Sequence, residues 1–285
     1  MNGFYKRLLL YGAGASVVSA LAYGAWVHNP GADRDTLIGC AEFELKIGLA
    51  AEAKQKIDKV LAEDPDNLHA ILVDAHCRTL LKDPSGARDR YLQALQLCKE
   101  YPDVETEVRV ALSMDSIQNQ QYQKAKDYLK SAKTPSEGQT YVKLFYVKGL
   151  AAELAGERDD AIINYEKAAD TKIWAEESLQ FQAAARLAAF DRTEAALVTF
   201  ESLASRNVEA AYYESAKLKF KKGQVDNGAQ DLRRLSANAK KHLAAAILAD
   251  GGFWGTVEKR GDLPVDVRDW LLKTDVGDQN NNNQR

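Results

Sequence analysis

The chain has 285 residues, 46% hydrophobic and 28% charged, enough for one large domain or two smaller ones with buried cores. A formal net charge of −3 excludes the strongly basic footprint of a protein that grips nucleic acid. With only 6 prolines and 18 glycines, and with alanine, leucine, lysine and glutamate abundant, the composition favours helix.

The first predicted element is apolar. Lys6 and Arg7 precede an uncharged run over residues 8–27, which matches the roughly 20 helical residues needed to cross a hydrocarbon core of about 30 Å. Tyr5 and Trp26 stand near its ends, where aromatic rings favour the membrane interface. Two cations before the run, and only Arg34 soon after it, place residues 1–7 in the cytoplasm. Residues 28–33 then serve as a linker, and the body lies on the exported, periplasmic or extracytoplasmic side. A cleaved signal peptide is the competing expectation, because Ala20, Leu21 and Ala22 form a small-residue box. The apolar run continues to Val27, longer than a usual signal core, and this favours the single-pass anchor. Gly12, Ser16, Ala20 and Gly24 recur every four residues, a stripe that suits self-association of the span. The "LIGC" at 37–40 is excluded as a lipoprotein box, since Asp33, Arg34 and Asp35 separate it from the apolar core.

Beyond residue 33 a pattern repeats. Gly48, Ala53, Ile57 and Val60 have the same spacing as Gly156, Ala161, Tyr165 and Ala168. Ala87, Tyr91 and Ala94 repeat it 34 residues after Ala53 and Val60, and further copies centre on Ala125 and Leu129, Ala196 and Phe200, and Gly228 and Leu232. Small residues at fixed intervals let two helices cross closely, and a bulky residue one turn away fills the groove beside them. Glycines at 48, 86, 156 and 223 are expected to mark the turns between helices.

These residues resemble the tetratricopeptide repeat family, whose unit is a 34-residue helix-turn-helix. The small eighth position of that unit is matched by Ala41, Ala75, Ser113, Gly149, Ala184 and Ala216, and the alanine at the twentieth by Ala53, Ala87, Ala125, Ala161 and Ala196, with Gly228 departing. The bulky twenty-fourth is matched by Ile57, Tyr91, Leu129, Tyr165, Phe200 and Leu232. The family's tryptophan at the fourth position is absent, with Arg109 and Gln180 in its place in the third and fifth units. The resemblance implies an all-α, right-handed α-solenoid of about six repeats over 34–242, preceded by the transmembrane helix. C-terminal capping helices over 243–275 are expected to cover the last repeat, with Gly251 and Gly252 ending the first of them and Pro264 opening the next. Residues 276–285, "VGDQNNNNQR", are polar and Asn-rich and are expected to be disordered.

Nothing in the sequence assembles a catalytic, metal or cofactor site, and an enzyme is not expected. Cys40, Cys77 and Cys98 follow no metal-ligand spacing and read as small core residues. His69 and His76 lie two helical turns apart, but Asp74 and Cys77 point away from their face. The resemblance further implies a protein or peptide partner held on the concave face by the first helices of successive units. Ninth-position residues Glu42, His76, Met114, Leu150, Ala185 and Lys217 include no asparagine, which disfavours the acidic chaperone tails that one subfamily binds. The row Met114, Tyr146, Leu150, Phe181 and Tyr213, with Lys217 beside it, instead suits an apolar or amphipathic segment. The expected role is a membrane-anchored, non-catalytic adaptor. A soluble exported chaperone or assembly factor is the alternative, and a small-molecule or polysaccharide binder is less favoured.

Overall fold

The computed structural model describes residues 33–135, 138–172, 177–235 and, towards the C-terminus, 242–243, 246–247, 249–259, 261 and 263–273. The expected span at 8–27, with the stretches 1–7 and 28–32 around it, and the polar tail at 276–285 lie outside the described residues. Among the described residues no helix is long and apolar enough to cross a membrane. The chain divides into two compact units, Met1–Thr134 and Pro135–Arg285.

The first unit is three helical hairpins: α1 (Arg34–Lys46) with α2 (Ala50–Glu63), α3 (Leu68–Leu80) with α4 (Pro84–Leu97), and α5 (Pro102–Gln118) with α6 (Tyr122–Lys130). Local signals set the starts. Asp33, Asn67 and Asp83 accept from the backbone N–H groups of Thr36, Ala70 and Gly86, capping α1, α3 and α4. Pro84 and Pro102 occupy first-turn positions, where a missing N–H costs nothing.

The second unit repeats the plan with α7 (Gln139–Leu154) and α8 (Arg158–Ala168), α9 (Glu177–Ala189) and α10 (Thr193–Ser205), and α11 (Glu209–Lys221) and α12 (Val225–Arg234). Two shorter helices follow, α13 (Gly251–Lys259) and α14 (Val265–Lys273). Among the described residues every regular element is helical.

The spacing of small and bulky residues is the packing scheme of all six hairpins. Ala41, Ala75, Ser113, Ala184 and Ala216 are fully buried, as are Ala53, Ala125, Ala161 and Ala196, and Gly149 and Gly228 are buried too. A Cβ on Gly149 would sit 2.7 Å from Tyr165 Cδ1. Tyr165 is itself fully enclosed and donates its hydroxyl to Glu153 Oε2 at 2.6 Å. Its ring therefore cannot retreat, and only glycine fits opposite it. The two units that depart from the pattern at the fourth position compensate with polar bonds. Gln180 is fully buried, donates to the Asp170 carbonyl at 3.0 Å and accepts from Arg206 at 3.0 Å. Arg109 pairs with Glu105 one turn back at 2.7 Å.

The turns inside the hairpins share one device, a residue with left-handed backbone. It is Gly48, Lys82, Gln120, Gly156, Asp191 and Gly223 in order, with φ between 59° and 80°. The expected turn at Gly86 is therefore corrected to Lys82. Gly86 belongs to the first turn of α4, where a Cβ would fall 2.2 Å from Asp83 Oδ2. Its small size serves the cap rather than the turn. Gly251 and Gly252 open α13, directly after the helical residue 249 and a turn at Asp250. Trp254 and Val257 follow them on one face, and their burial outweighs the low helix propensity of glycine.

Candidate functional site

The sequence places a partner-facing row on first helices. In the first unit this is Met114, half-buried on α5 beside Val110, which is 8% exposed. In the second unit Tyr146 and Leu150 lie on α7, Phe181 on α9, and Tyr213 and Lys217 on α11. Tyr146, Leu150, Phe181 and Lys217 are half-buried.

The residues of the row differ in what they touch. The Tyr146 hydroxyl donates to Gln182 Oε1 of α9 at 2.9 Å, and its ring lies 5.8 Å from that of Tyr165. The Phe181 ring lies 5.2 Å from Phe200 of the paired helix α10. Tyr146 thus bridges successive first helices, whereas Phe181 packs within its own hairpin. Both rings pack against the core of this unit and stay partly exposed.

Tyr213 departs from the expectation. It is 1% exposed, so it is core rather than a partner-facing residue. Its hydroxyl donates to Asp250 Oδ2 at 3.0 Å and accepts from Trp254 Nε1 at 2.9 Å. The Trp254 ring also packs edge-on against Phe220 at 5.5 Å. Burial pushes the Tyr213 phenol well above its ordinary range, against the Trp254 hydrogen bond and with the help of Asp250. Lys217 sits 5.4 Å over the Tyr213 ring and is held by Asp250 at 2.7 Å and Glu214 at 3.3 Å. Its ammonium is thus already neutralised from within the chain. Sequence reasoning missed Asp250 and Trp254. The repeat pattern did not signal them, because Asp250 stands in the turn before α13 and Trp254 on that helix, both beyond the last hairpin.

Chemical constellations are weak. Among the described residues no group of three His, Cys, Asp or Glu side chains converges to hold a metal. His69 Nε2 lies 2.8 Å from Glu42 Oε1, and His76 packs edge-on to Tyr91 at 6.0 Å, so the two histidines serve separate contacts. Cys40, Cys77 and Cys98 are buried free thiols. Burial, then Asp74, pushes Cys77 up to about 11, which leaves it a poor nucleophile at neutral pH.

No protein-family model and no curated protein matches the chain. Solved structures do resemble it. A chain of the APC/C hetero-tetramer Cut9–Hcn1 is 17% identical with a TM-score of 0.56, over 75% of this chain and 42% of that one. This chain therefore spans less than half the length of that relative. The type IV pilus biogenesis factor PilW is 17% identical with a TM-score of 0.54, over 74% of this chain and 98% of its own. A tetratricopeptide repeat protein from Parabacteroides merdae is 16% identical with a TM-score of 0.51, over 81% and 89% of the two chains. At these identities the likeness is one of fold: the chain has a tetratricopeptide-like helical repeat architecture.

Proposed function

We propose that this chain is a non-catalytic scaffold that holds a protein partner against the first-helix faces of its repeats, tethered to a membrane through residues 8–27. The observation that carries the reading is the partly exposed aromatic pair of the second unit. Tyr146 and Phe181 each pack against a core ring and remain partly exposed. Aromatic rings of this kind serve as interface anchors, because they bury large area at low conformational cost. Structural neighbours include a chain of a hetero-tetrameric assembly and a pilus biogenesis factor, which agrees with a role in assembly. The favoured ligand is an apolar or amphipathic segment, with Met114 and Leu150 as further contacts. Lys217 and Tyr213 support the scaffold from within.

A second reading keeps the scaffold and removes the tether. The small-residue box at Ala20–Leu21–Ala22 suits cleavage, which would release a soluble exported assembly factor. Mass spectrometry of the mature N-terminus separates the two.

The scaffold reading is tested by Tyr146→Ala and Phe181→Ala, read in parallel by partner recovery from detergent extracts and by thermal unfolding. An aromatic anchor at an interface is worth about 2 kcal/mol, roughly thirtyfold in affinity. Recovery should fall by that order while the melting temperature changes little. Lowered melting temperature with undiminished recovery from the folded fraction would reduce the pair to core packing and sink the reading.

A further inference from the structure

Two ammonium groups of the fourth hairpin share one aromatic ring. Lys148 Nζ of α7 lies 5.3 Å from the Phe145 centroid, and Lys167 Nζ of α8 lies 4.9 Å from it. Phe145 is 6% exposed and is braced by the Tyr141 ring at 4.5 Å. Lys148 is half-buried and Lys167 exposed. Among the described residues of the second unit, neither forms an ion pair with a carboxylate. Comparably enclosed cations of the same unit are neutralised: Lys217 by Asp250, Lys219 by Asp231 and Arg206 by Glu177.

The position is also out of pattern. Lys148 directly precedes the tight contact residue Gly149. The corresponding residues of the other hairpins are Cys40, Asp74, Leu112, Ala183 and Ser215, each at most 1% exposed. The one other charged residue among them, Asp74, is surrounded by cations. No described carboxylate of the second unit pairs with Lys148. Burial pushes its ammonium below the ordinary lysine range, and the Lys167 charge pushes it the same way. The ring face offers each cation a modest attraction, but the two positive charges still repel. An oxyanion resolves both deficits, because its several lone pairs accept charge-assisted hydrogen bonds and its charge removes the repulsion.

We propose that Lys148 and Lys167, beside the Phe145 ring, form a binding site for an oxyanion, the carboxylate of an acidic peptide segment or a phosphate group. The site is separate from the aromatic pair and stands or falls independently of the scaffold reading.

The test uses the full chain and two probes, a tetraglutamate peptide and inorganic phosphate, against sodium chloride at matched ionic strength. At least one probe should raise the melting temperature in a saturable way, and the one that does so identifies the source of the oxyanion. Lys148→Gln and Lys167→Gln should each raise the half-saturating concentration about tenfold or more, while Lys172→Gln, an exposed lysine nearby in sequence, leaves it unchanged. No stabilisation beyond chloride by either probe overturns the proposal, and so does an unaltered half-saturation in both variants. Should a variant lose its helical signal, amine acylation of the wild-type chain decides instead. Tryptic mass spectrometry should show Lys148 and Lys167 protected by the effective probe. Unprotected lysines would overturn the site.

Discussion

The second and fourth hairpins place opposite charges at the same point of the repeat and treat them in opposite ways. Asp74 on α3 is fully buried and receives Arg78 Nε at 3.1 Å, Arg90 Nε at 2.7 Å and the Lys54 ammonium at 3.4 Å. These cations come from α3, α4 and α2, so one carboxylate ties two hairpins together. Among the described residues of its unit, Lys148 on α7 meets an aromatic ring and a second lysine and no carboxylate. A buried charge is tolerated where its neighbours were recruited to meet it. Where they were not, the cost persists unless something outside the fold supplies the counter-charge. The difference separates a structural ion cluster from a candidate binding site.

The largest effect should come from breaking the compensated side. Asp74→Ala leaves Arg78, Arg90 and Lys54 without their shared partner, although Asp83 and Asp58 still hold two of them. Removing one member of a buried ionic cluster costs about 3–5 kcal/mol, and partial exposure of the three cations puts the expected loss near the lower end. Urea unfolding monitored by circular dichroism checks this. A loss below about 1 kcal/mol would mean that the carboxylate is not the tie described.

Next come the steric contacts of the fourth hairpin. Gly149→Ala sets a methyl group against the fixed Tyr165 ring, and Ala161→Leu forces three heavy atoms into a fully buried crossing. Overpacking of this kind costs about 1–3 kcal/mol. Because hairpins in a repeat array are stabilised by their neighbours, the damage should broaden the unfolding transition as well as lower its midpoint. An unchanged melting curve for Ala161→Leu would invalidate the repeat register.

These contacts were legible in the sequence because steric need fixes residue size at each crossing. Ala41, Ala53 and Ile57 announce one such crossing, and five later sets repeat it. The turns were half legible. Gly48, Gly156 and Gly223 stand where left-handed backbone is needed, whereas Lys82, Gln120 and Asp191 take that conformation without the residue that signals it. The ionic ties were not legible, since Arg90 reaches Asp74 across 16 residues and Arg88 reaches Asp115 across 27. No local periodicity encodes such pairings. The residues of the expected row stand on first helices, Met114 in the first unit and the others in the second. The burial of Tyr213 was not legible, because the residues that cover it, Asp250 and Trp254, lie outside the repeats.

The two turns sharpen the comparison at smaller scale. Gly156→Ala imposes a side chain on a residue with φ of 80°, which costs about 1–2 kcal/mol. Lys82 holds φ at 64° and already bears that strain. Lys82→Gly relieves it but gives the unfolded chain more freedom. Its net effect should lie within about 1 kcal/mol of zero, on the stabilising side. Paired denaturation curves test the sign, and equal losses in both variants would refute a shared left-handed turn.

The smallest effect should come from Lys148→Met, and its sign carries the argument. Met keeps the unbranched stem and removes the charge, so below neutral pH the variant should match or slightly exceed the wild type, by less than about 1 kcal/mol, since a half-buried charge is screened by solvent. The pH dependence gives a second reading. Burial and Lys167, the cation that faces it, hold the Lys148 ammonium below its unfolded value. Between the folded and unfolded pKa values the unfolded chain binds more protons. Stability therefore rises with pH across that window, and the penalty is fully present below it. The wild-type minus variant difference should climb towards higher pH as Lys148 deprotonates, with the other lysines and tyrosines cancelling in the subtraction. Added oxyanion should stabilise the wild type at neutral pH and leave the variant little changed. If instead Lys148→Met destabilises at neutral pH without any anion, the ammonium has a partner within the fold, and the contrast with Asp74 disappears.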